Sequence, residues 1–362
     1  MSKPTTLYNM KPLFTIFLST LSLLLSNTIH AQDFTMHEEI LNGAPIKIVT
    51  PSEPDGNKAF FHVHGWRPAD APHEADLDLN DPFYRQLLED GWIIGRTAFL
   101  ENGVDHDAHT KALYDLKNRI ENEHGPIELL ILEGESTAAT LVLRIAEQNP
   151  DLADGVIAKA AFINLEDESA DSYLTGTPSI PAILMSNLTE LDGPAAYLAT
   201  AEHAVVPPVM RPLLRPGHVN VNWMERLGAL ESIVSWIHGD APDRVTDGTR
   251  RVPDRETGTA FQDGALVNRV TAINPYFGNA ILGYHPDELR NAGITQGSTF
   301  IFEVHGQQRD VYFGESYGDV PLGEWVAFPL ADDQILIARN HQSAIITANL
   351  SVGDEVRIFP SE

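Results

Sequence analysis

Cysteine is absent from all 362 residues. That removes disulfides, thiolate nucleophiles, cysteine-ligated zinc and iron–sulfur clusters from the chemistry open to the chain. Basic side chains are scarce as well. Only 24 Lys and Arg stand against 51 Asp and Glu, a formal charge of −27 with histidines neutral. So acidic a chain has no global field to attract DNA, RNA or anionic lipid, and nucleic acid is not expected as a partner. Long apolar runs are missing too: past Leu25, no segment is apolar enough to cross a bilayer.

What is present suffices for folded domains. A hydrophobic content of 43% can offset chain entropy, and the length suggests two domains. The first residues read as an address. Lys3 and Lys11 precede the apolar stretch Pro12–Leu25, and Ala31 is a small residue before Gln32. That pattern predicts a cleavable export signal over residues 1–31, cut after Ala31, and a secreted or periplasmic protein. No stable membrane anchor is expected after cleavage, since the stretch falls short of the ~20 residues of a spanning helix. Residues 1–31 hold two lysines and no acid, so the mature chain would carry −29.

The region 32–238 alternates between strand and helix patterns. Buried strands are predicted at Ala59–His64, Trp92–Gly95, Ile127–Leu132, Gly155–Asn164, Ala182–Ser186 and Val205–Leu214. Helical spacing appears at Pro82–Asp90, Ala108–His124, Thr137–Gln148 and Glu225–Ile237. Repeated strand and helix predict an α/β fold, a mostly parallel sheet with helices on both faces. Residues 239–264, rich in Asp, Pro, Arg, Gly and Thr, read as a linker. The region 265–362 then shows short β-like segments separated by Gly- and Asp-rich turns, with one short helix at Pro286–Ala292. These predict a small all-β, barrel-like domain.

One serine stands at a strand-to-helix turn. The strand ending at Leu132 runs into Glu133-Gly134-Glu135-Ser136-Thr137-Ala138, and a helix begins at once. A nucleophile on so tight a turn needs small residues two before and two after it, here Gly134 and Ala138. A carboxylate just past the strand at Ala182–Ser186 could orient an imidazole; Glu190 is the favoured candidate and Asp192 the reserve. His218, in Pro216-Gly217-His218, sits on a loop before the last helix, where it could act as general base and then general acid. Serine, acid and histidine follow in that chain order. Backbone N–H groups of Thr137 and of Trp66, in His64-Gly65-Trp66, are the expected oxyanion donors.

Together these segments resemble the α/β-hydrolase family over about residues 40–238. The resemblance implies an eight-stranded sheet and ester or amide hydrolysis through an acyl-enzyme. Glutamate as the acid and Ala138 in the elbow depart from the commonest family pattern. The short stretch between Asn164 and Ala182 leaves little room for a lid, which suggests an open site for a bulky or polymer-borne substrate. A metal reading competes: His62 and His64 share one strand face, and Asp105, His106, Asp107 and His109 cluster nearby. Asp and His before a helix equally serve as caps and solvated turn residues, so no metal is assigned.

The second region carries its own resemblance. Tyr276-Phe277-Gly278-Asn279-Ala280, Tyr317-Gly318-Asp319, Ile337-Ala338-Arg339-Asn340, Ser343-Ala344 and Val352-Gly353-Asp354 occur in one order. This set is similar to the C-terminal β-domain of the S-adenosylmethionine hydroxide adenosyltransferase and fluorinase family. The resemblance implies adenosine contacts from Phe277, Asn279, Arg339, Asn340 and Ser343, and a weak tendency to trimerise. That family's N-terminal domain, with its catalytic aspartate, is replaced here. Ser136, His218 and Glu190 therefore predict a carboxylic-ester hydrolase needing no cofactor. The alternatives are a non-catalytic binding or assembly protein, and an adenosine- or adenosylmethionine-binding protein acting through the second domain.

Overall fold

The computed structural model describes residues 34–360 apart from Gly56, Ser169 and Asp171; the expected export signal lies outside the described residues. Two eight-stranded sheets organise the chain. The first contains β1 (Phe34–Leu41), β2 (Ala44–Pro51), β3 (Lys58–Val63), β4 (Ile93–Thr97), β5 (Leu129–Glu135), β6 (Gly155–Lys159), β7 (Ala182–Asn187) and β8 (Val209–Leu213). Their spatial order is β1-β2-β4-β3-β5-β6-β7-β8. The β1–β2 and β2–β4 pairs are antiparallel, and every later pair is parallel. Five helices cover it: α1 (Pro82–Glu89), α2 (His106–His124), α3 (Thr137–Gln148), α4 (Asp192–Thr200) and α5 (Trp223–Ile237).

The parallel strands read as unbroken apolar runs because both faces are buried. Phe60 and Phe61 illustrate it, since successive side chains point to opposite faces. Phe61 joins the core under α2, α3 and α4, whereas Phe60 packs edge-on against Phe83 of α1, centroids 5.2 Å apart, on the face shared with α5. Each such ring, fully withdrawn from water, contributes about 1.5–3 kcal/mol. The helix starts are fixed by side chains: Asp81 caps α1 ahead of Pro82, Asp105 caps α2, and Asn222 with Glu225 forms a capping box on α5.

The second sheet comprises β9 (Ala260–Gln262), β10 (Ala265–Asn274), β11 (Asn279–Leu282), β12 (Thr299–Val304), β13 (Gln307–Phe313), β14 (Trp325–Pro329), β15 (Ile335–Arg339) and β16 (Glu355–Pro360). Strand β10 pairs with both β16 and β11, so seven strands close into a barrel and β9 pairs with β10 outside the ring. Closure leaves the ring without unpaired edges. Two short helices, α6 (Pro286–Asn291) and α7 (Ala344–Ala348), lie between barrel strands. Inside, the hydroxyl of Tyr284 donates within reach of the Leu266 and Val356 carbonyls at 3.0 and 2.7 Å, so this buried phenol is satisfied.

Several segments depart from the sequence reading. The β1–β2 hairpin and helices α4 and α7 were not foreseen, and β9 falls inside the stretch read as a linker. The strand expected over Gly155–Asn164 stops at Lys159, where Ala160 turns to φ +54° and sends Phe162 out of the sheet. The strand expected from Val205 starts only at Val209, after Pro207 and Pro208. Residues 239–264 are also more than a spacer: Met210 and Gly248 donate to Arg244 and Pro212 carbonyls at 2.8 and 2.9 Å, laying this stretch along the free edge of β8.

The barrel docks against the sheet domain at two places. Near one, Asn222 Nδ2 donates to the Ala331 carbonyl at 3.2 Å and the Ala331 N–H donates to Asn220 Oδ1 at 2.7 Å. At the other, the Tyr276 hydroxyl donates to Glu74 at 3.1 Å and the Arg67 guanidinium lies 3.9 Å from the Tyr276 ring centre.

Candidate active site

Ser136 sits between β5 and α3 with φ +56° and ψ −121°, a conformation L residues rarely occupy. The neighbours explain how it is tolerated. A Cβ on Gly134 would lie 2.2 Å from the Ala138 carbonyl oxygen, so only glycine fits there. A Cβ on Gly65 would meet the Glu135 carbonyl at 2.8 Å and Ser136 Cβ at 3.0 Å, so the β3 loop presses against the turn. Although Ser136 is the N-cap of α3, its hydroxyl makes no capping bond. It points instead to His218.

The three residues picked out by chain order converge. The Ser136 hydroxyl donates to His218 Nε2 at 2.9 Å, and His218 Nδ1–H donates to Glu190 Oε1 at 2.6 Å. Glu190 ends a single turn of 3-10 helix directly after β7. It is Glu190 whose carboxylate meets the imidazole; Asp192, the reserve candidate, begins α4 instead. The second Glu190 oxygen is buried with no hydrogen-bond partner among the described residues, so the carboxylate is committed to His218 alone.

The loop holding His218 is strained and heavily tied. Gly217 and Val219 both have positive φ, +123° and +53°. Asn187, at the end of β7, exchanges two hydrogen bonds of 3.0 Å with the backbone of Asn220, and Asn220 Nδ2 donates to the Pro216 carbonyl at 3.1 Å. Arg215 donates to the Asn220 carbonyl and pairs with buried Glu225. Phe162 packs against the His218 ring, centroids 5.3 Å apart.

These groups open into a cleft of about 590 Å³ lined by His64, Trp66, Arg67, Arg96, Ser136, Thr137, Phe162 and His218 from the sheet domain. Asn274, Tyr276, Phe277 and Tyr317 of the barrel face them. The site is therefore walled by the second domain, where the short stretch before Ala182 had suggested an open site. Trp66 and Thr137, the expected oxyanion donors, flank Ser136 in this cleft, and among the described residues neither N–H is engaged by another group.

Three of the four imidazoles considered for metal binding are engaged with other groups. His62 Nδ1 and the Tyr84 hydroxyl share a hydrogen bond of 2.6 Å, with Glu133 at 3.4 Å. His64 Nδ1–H donates to the Gly65 carbonyl at 2.7 Å; burial, with Arg67 and Arg96 nearby, holds this ring neutral, its pKa lowered to about 3. His109 stacks on Phe99 at 3.8 Å, and burial lowers its pKa to about 4. Asp105 spends its carboxylate on the α2 cap and Asp107 pairs with Arg144 at 3.1 Å. Among the described residues, no group of three or more ligand-type side chains is placed to hold a metal ion.

Beneath the serine turn lies a buried charge network that sequence reasoning missed. Glu133 has no exposed surface; Arg226 of α5 grips both its oxygens at 3.0 and 2.7 Å, and Lys159 stands 3.2 Å away. Burial alone would raise the Glu133 pKa, but Arg226 and Lys159 prevail and hold it well below the usual range. Arg67, Arg96 and Asp76 were also missed, for the same reason: nothing in the local pattern around them marks a site.

The five residues named for adenosine contact lie at several places in the barrel. Phe277 is half exposed and lines it, and Asn279 donates to the Tyr317 hydroxyl just behind. Arg339 instead donates to the Gly323 carbonyl and to Thr347 at 2.8 Å. Asn340 donates to the Val320 carbonyl at 2.7 Å, and Ser343 caps α7.

Residues 269–357 match the family model of the SAM hydroxide adenosyltransferase C-terminal domain. No curated protein matches the chain. Among solved structures the chain is similar to a conserved protein from Thermotoga maritima, with TM-score 0.27, 19% identity, and 35% of this chain and 49% of that one covered. An esterase from Pyrococcus furiosus gives TM-score 0.41 and 12% identity over 57% of this chain and 89% of that one. An α/β-hydrolase enzyme from a deep-sea metagenome gives 0.39 and 14% over 52% and 84%. The chain thus spans about half the length of the Thermotoga protein. The strand order, and the serine turn after β5, carry the α/β-hydrolase reading of the first sheet.

Proposed function

We propose that the chain is a serine hydrolase of carboxylic esters. The observation that carries this reading is the unbroken hydrogen-bond line from Ser136 through His218 to Glu190, set on a strained turn at the carboxyl end of the sheet. In this mechanism Ser136 Oγ attacks the ester carbonyl while His218 Nε2 takes its proton. Glu190 keeps the imidazole in the Nδ1–H tautomer and stabilises the imidazolium. The Thr137 and Trp66 N–H groups receive the developing oxyanion. Collapse expels the alcohol, which takes the proton back from His218 and leaves an acyl-Ser136. Water, deprotonated by His218, then releases the carboxylic acid and restores the serine.

The aromatic side chains Trp66, Phe162, Tyr276, Phe277 and Tyr317 around the cleft support a substrate with substantial apolar or planar surface. We place the protein outside the cytoplasm, on the strength of Lys3, Lys11, Pro12–Leu25 and Ala31 in the sequence. A fluorophosphonate probe followed by peptide mapping tests the chemistry: adduct on Ser136 of the folded protein, abolished by Ser136→Ala, is the expected result. Absence of labelling would favour a binding or assembly role. A panel of acetyl, feruloyl, glucuronoyl and lipid esters then ranks the substrates.

A further inference from the structure

Two arginines line the same cleft as Ser136, and both are almost wholly buried: Arg67 is 4% exposed and Arg96 6%. Between them they have one carboxylate. Asp76 pairs with Arg67 and stands 2.9 Å from Arg96. The other acid in the cleft wall, Glu135, lies 3.4 Å from Lys159 and also feels the charge of Arg96, while Arg226 behind it pairs with both Glu133 and Asp81. Within ion-pairing distance, the guanidinium groups of Arg67 and Arg96 thus share the single carboxylate of Asp76.

The two guanidinium groups are not equivalent. Arg67 donates to the Glu74 carbonyl at 3.0 Å, pairs with Asp76 and lies against the Tyr276 ring, so it is spent on holding the barrel and the 67–76 loop. Among the described residues, Arg96, on β4, has Asp76 as its one carboxylate within 4 Å, and its Nε is buried without a hydrogen-bond partner. A guanidinium carries five donors in a planar fork suited to a carboxylate. Buried donors left unmatched in a cleft wall are where a ligand's acceptor is most strongly felt.

We propose that Arg96, braced by Arg67 and Asp76, is an anion-recognition subsite, and that the preferred substrates are esters carrying a free carboxylate beyond the scissile bond. The inference rests on the serine-hydrolase reading and names its substrate class. It also suits the charge of the chain. With −27 overall, the protein repels anionic esters at long range, so a substrate of that kind needs a cationic point inside the cleft to be retained.

The test compares 4-nitrophenyl monoesters of glutaric and adipic acid with neutral 4-nitrophenyl esters of the same chain length. The wild-type protein is expected to favour the anionic member in kcat/KM by about ten-fold or more, the scale of one charge-assisted contact, with the preference shrinking in high salt. In Arg96→Gln the anionic-to-neutral ratio is expected to fall about ten-fold. Asp76→Asn, which removes the competing internal carboxylate, is expected to raise the ratio, and it decides the matter if Arg96→Gln does not fold. A wild-type preference for the neutral esters, or ratios unmoved by either substitution, overturns the proposal. If no ester is hydrolysed, calorimetry with monomethyl glutarate on the Ser136→Ala protein decides independently: binding lost on adding Arg96→Gln supports the subsite, and no binding refutes it.

Discussion

The side-chain oxygen of Asn220 accepts a hydrogen bond from the backbone N–H of Ala331 at 2.7 Å, tying the loop that carries His218 to the barrel. The same amide donates to the Pro216 carbonyl at 3.1 Å, two residues before His218. One side chain thus links the second domain to the imidazole position. Asn220→Ala is expected to lower kcat about ten- to hundred-fold on a neutral ester, with KM moving little, because a displaced base loses the attack geometry rather than the binding surface. Steady-state kinetics separate the two. A lowered melting temperature, with kcat per active site titrated by the fluorophosphonate probe equal to that of the wild type, would mean the bond matters only for folding.

The Ser136–His218–Glu190 line predicts strong non-additivity. Ser136→Ala and His218→Ala are each expected to reduce kcat by about 10³-fold or more, and the double variant to be no worse than either alone, since the two act as a unit. Glu190→Gln keeps the shape but replaces the acceptor-only carboxylate by a neutral amide that can present its NH2 to the ring and no longer stabilises the imidazolium, for an expected loss of about 10²- to 10⁴-fold. The buried, unpartnered second oxygen of Glu190 means that no other described group holds this carboxylate in its place. Hydrolysis rates of a neutral 4-nitrophenyl ester check all four variants.

Glu133 makes a stability prediction. It is fully buried, with Arg226 and Lys159 both depending on its charge. Glu133→Gln keeps the volume but leaves two buried cations under-compensated, and is expected to cost about 3–5 kcal/mol of unfolding free energy. The melting temperature and denaturant midpoint read this directly.

How much of this was legible follows from where the signal resides. The parallel strands announced themselves because burial on both faces writes an unbroken apolar run, as in Ala59–Val63 and Leu129–Leu132. Ser136 was legible because Gly134 is sterically required two residues before it, and that need is written locally. Strand β1 was not, since nearly all its side chains are exposed and no apolar alternation marks it; the Asn42-Gly43 turn, with φ +50° and +94°, was the available clue to the hairpin. Helix α4 hid behind Gly193-Pro194, which reads as a turn although proline is welcome in a helix's first turn. Arg67, Asp76 and Arg96, or Asn220 and Ala331, meet only through tertiary packing, so nothing in their neighbourhoods along the chain could have joined them.

Asp332 supplies a pH-dependent prediction. It sits in the barrel turn that contacts α5, with the Trp223 N–H 3.4 Å from its carboxylate. Burial raises its pKa from 3.8 to about 6; the Trp223 N–H and Arg226 lower it, while Asp81 and Glu225 add to the rise. Because the folded-state value lies above the unfolded one, the folded chain binds this proton more tightly. The stabilisation is complete below about pH 4 and is lost as the pH rises through about 6. Above that, the ionised carboxylate opposes folding. Asp332→Asn removes the charge while keeping an acceptor for Trp223, so at pH 8 it is expected to stabilise the protein by about 1–2 kcal/mol once solvent screening is allowed for. At pH 4 the variant and the wild type should melt together. A gain that is the same at both pH values would mean that packing, and not the charge on Asp332, separates the two proteins.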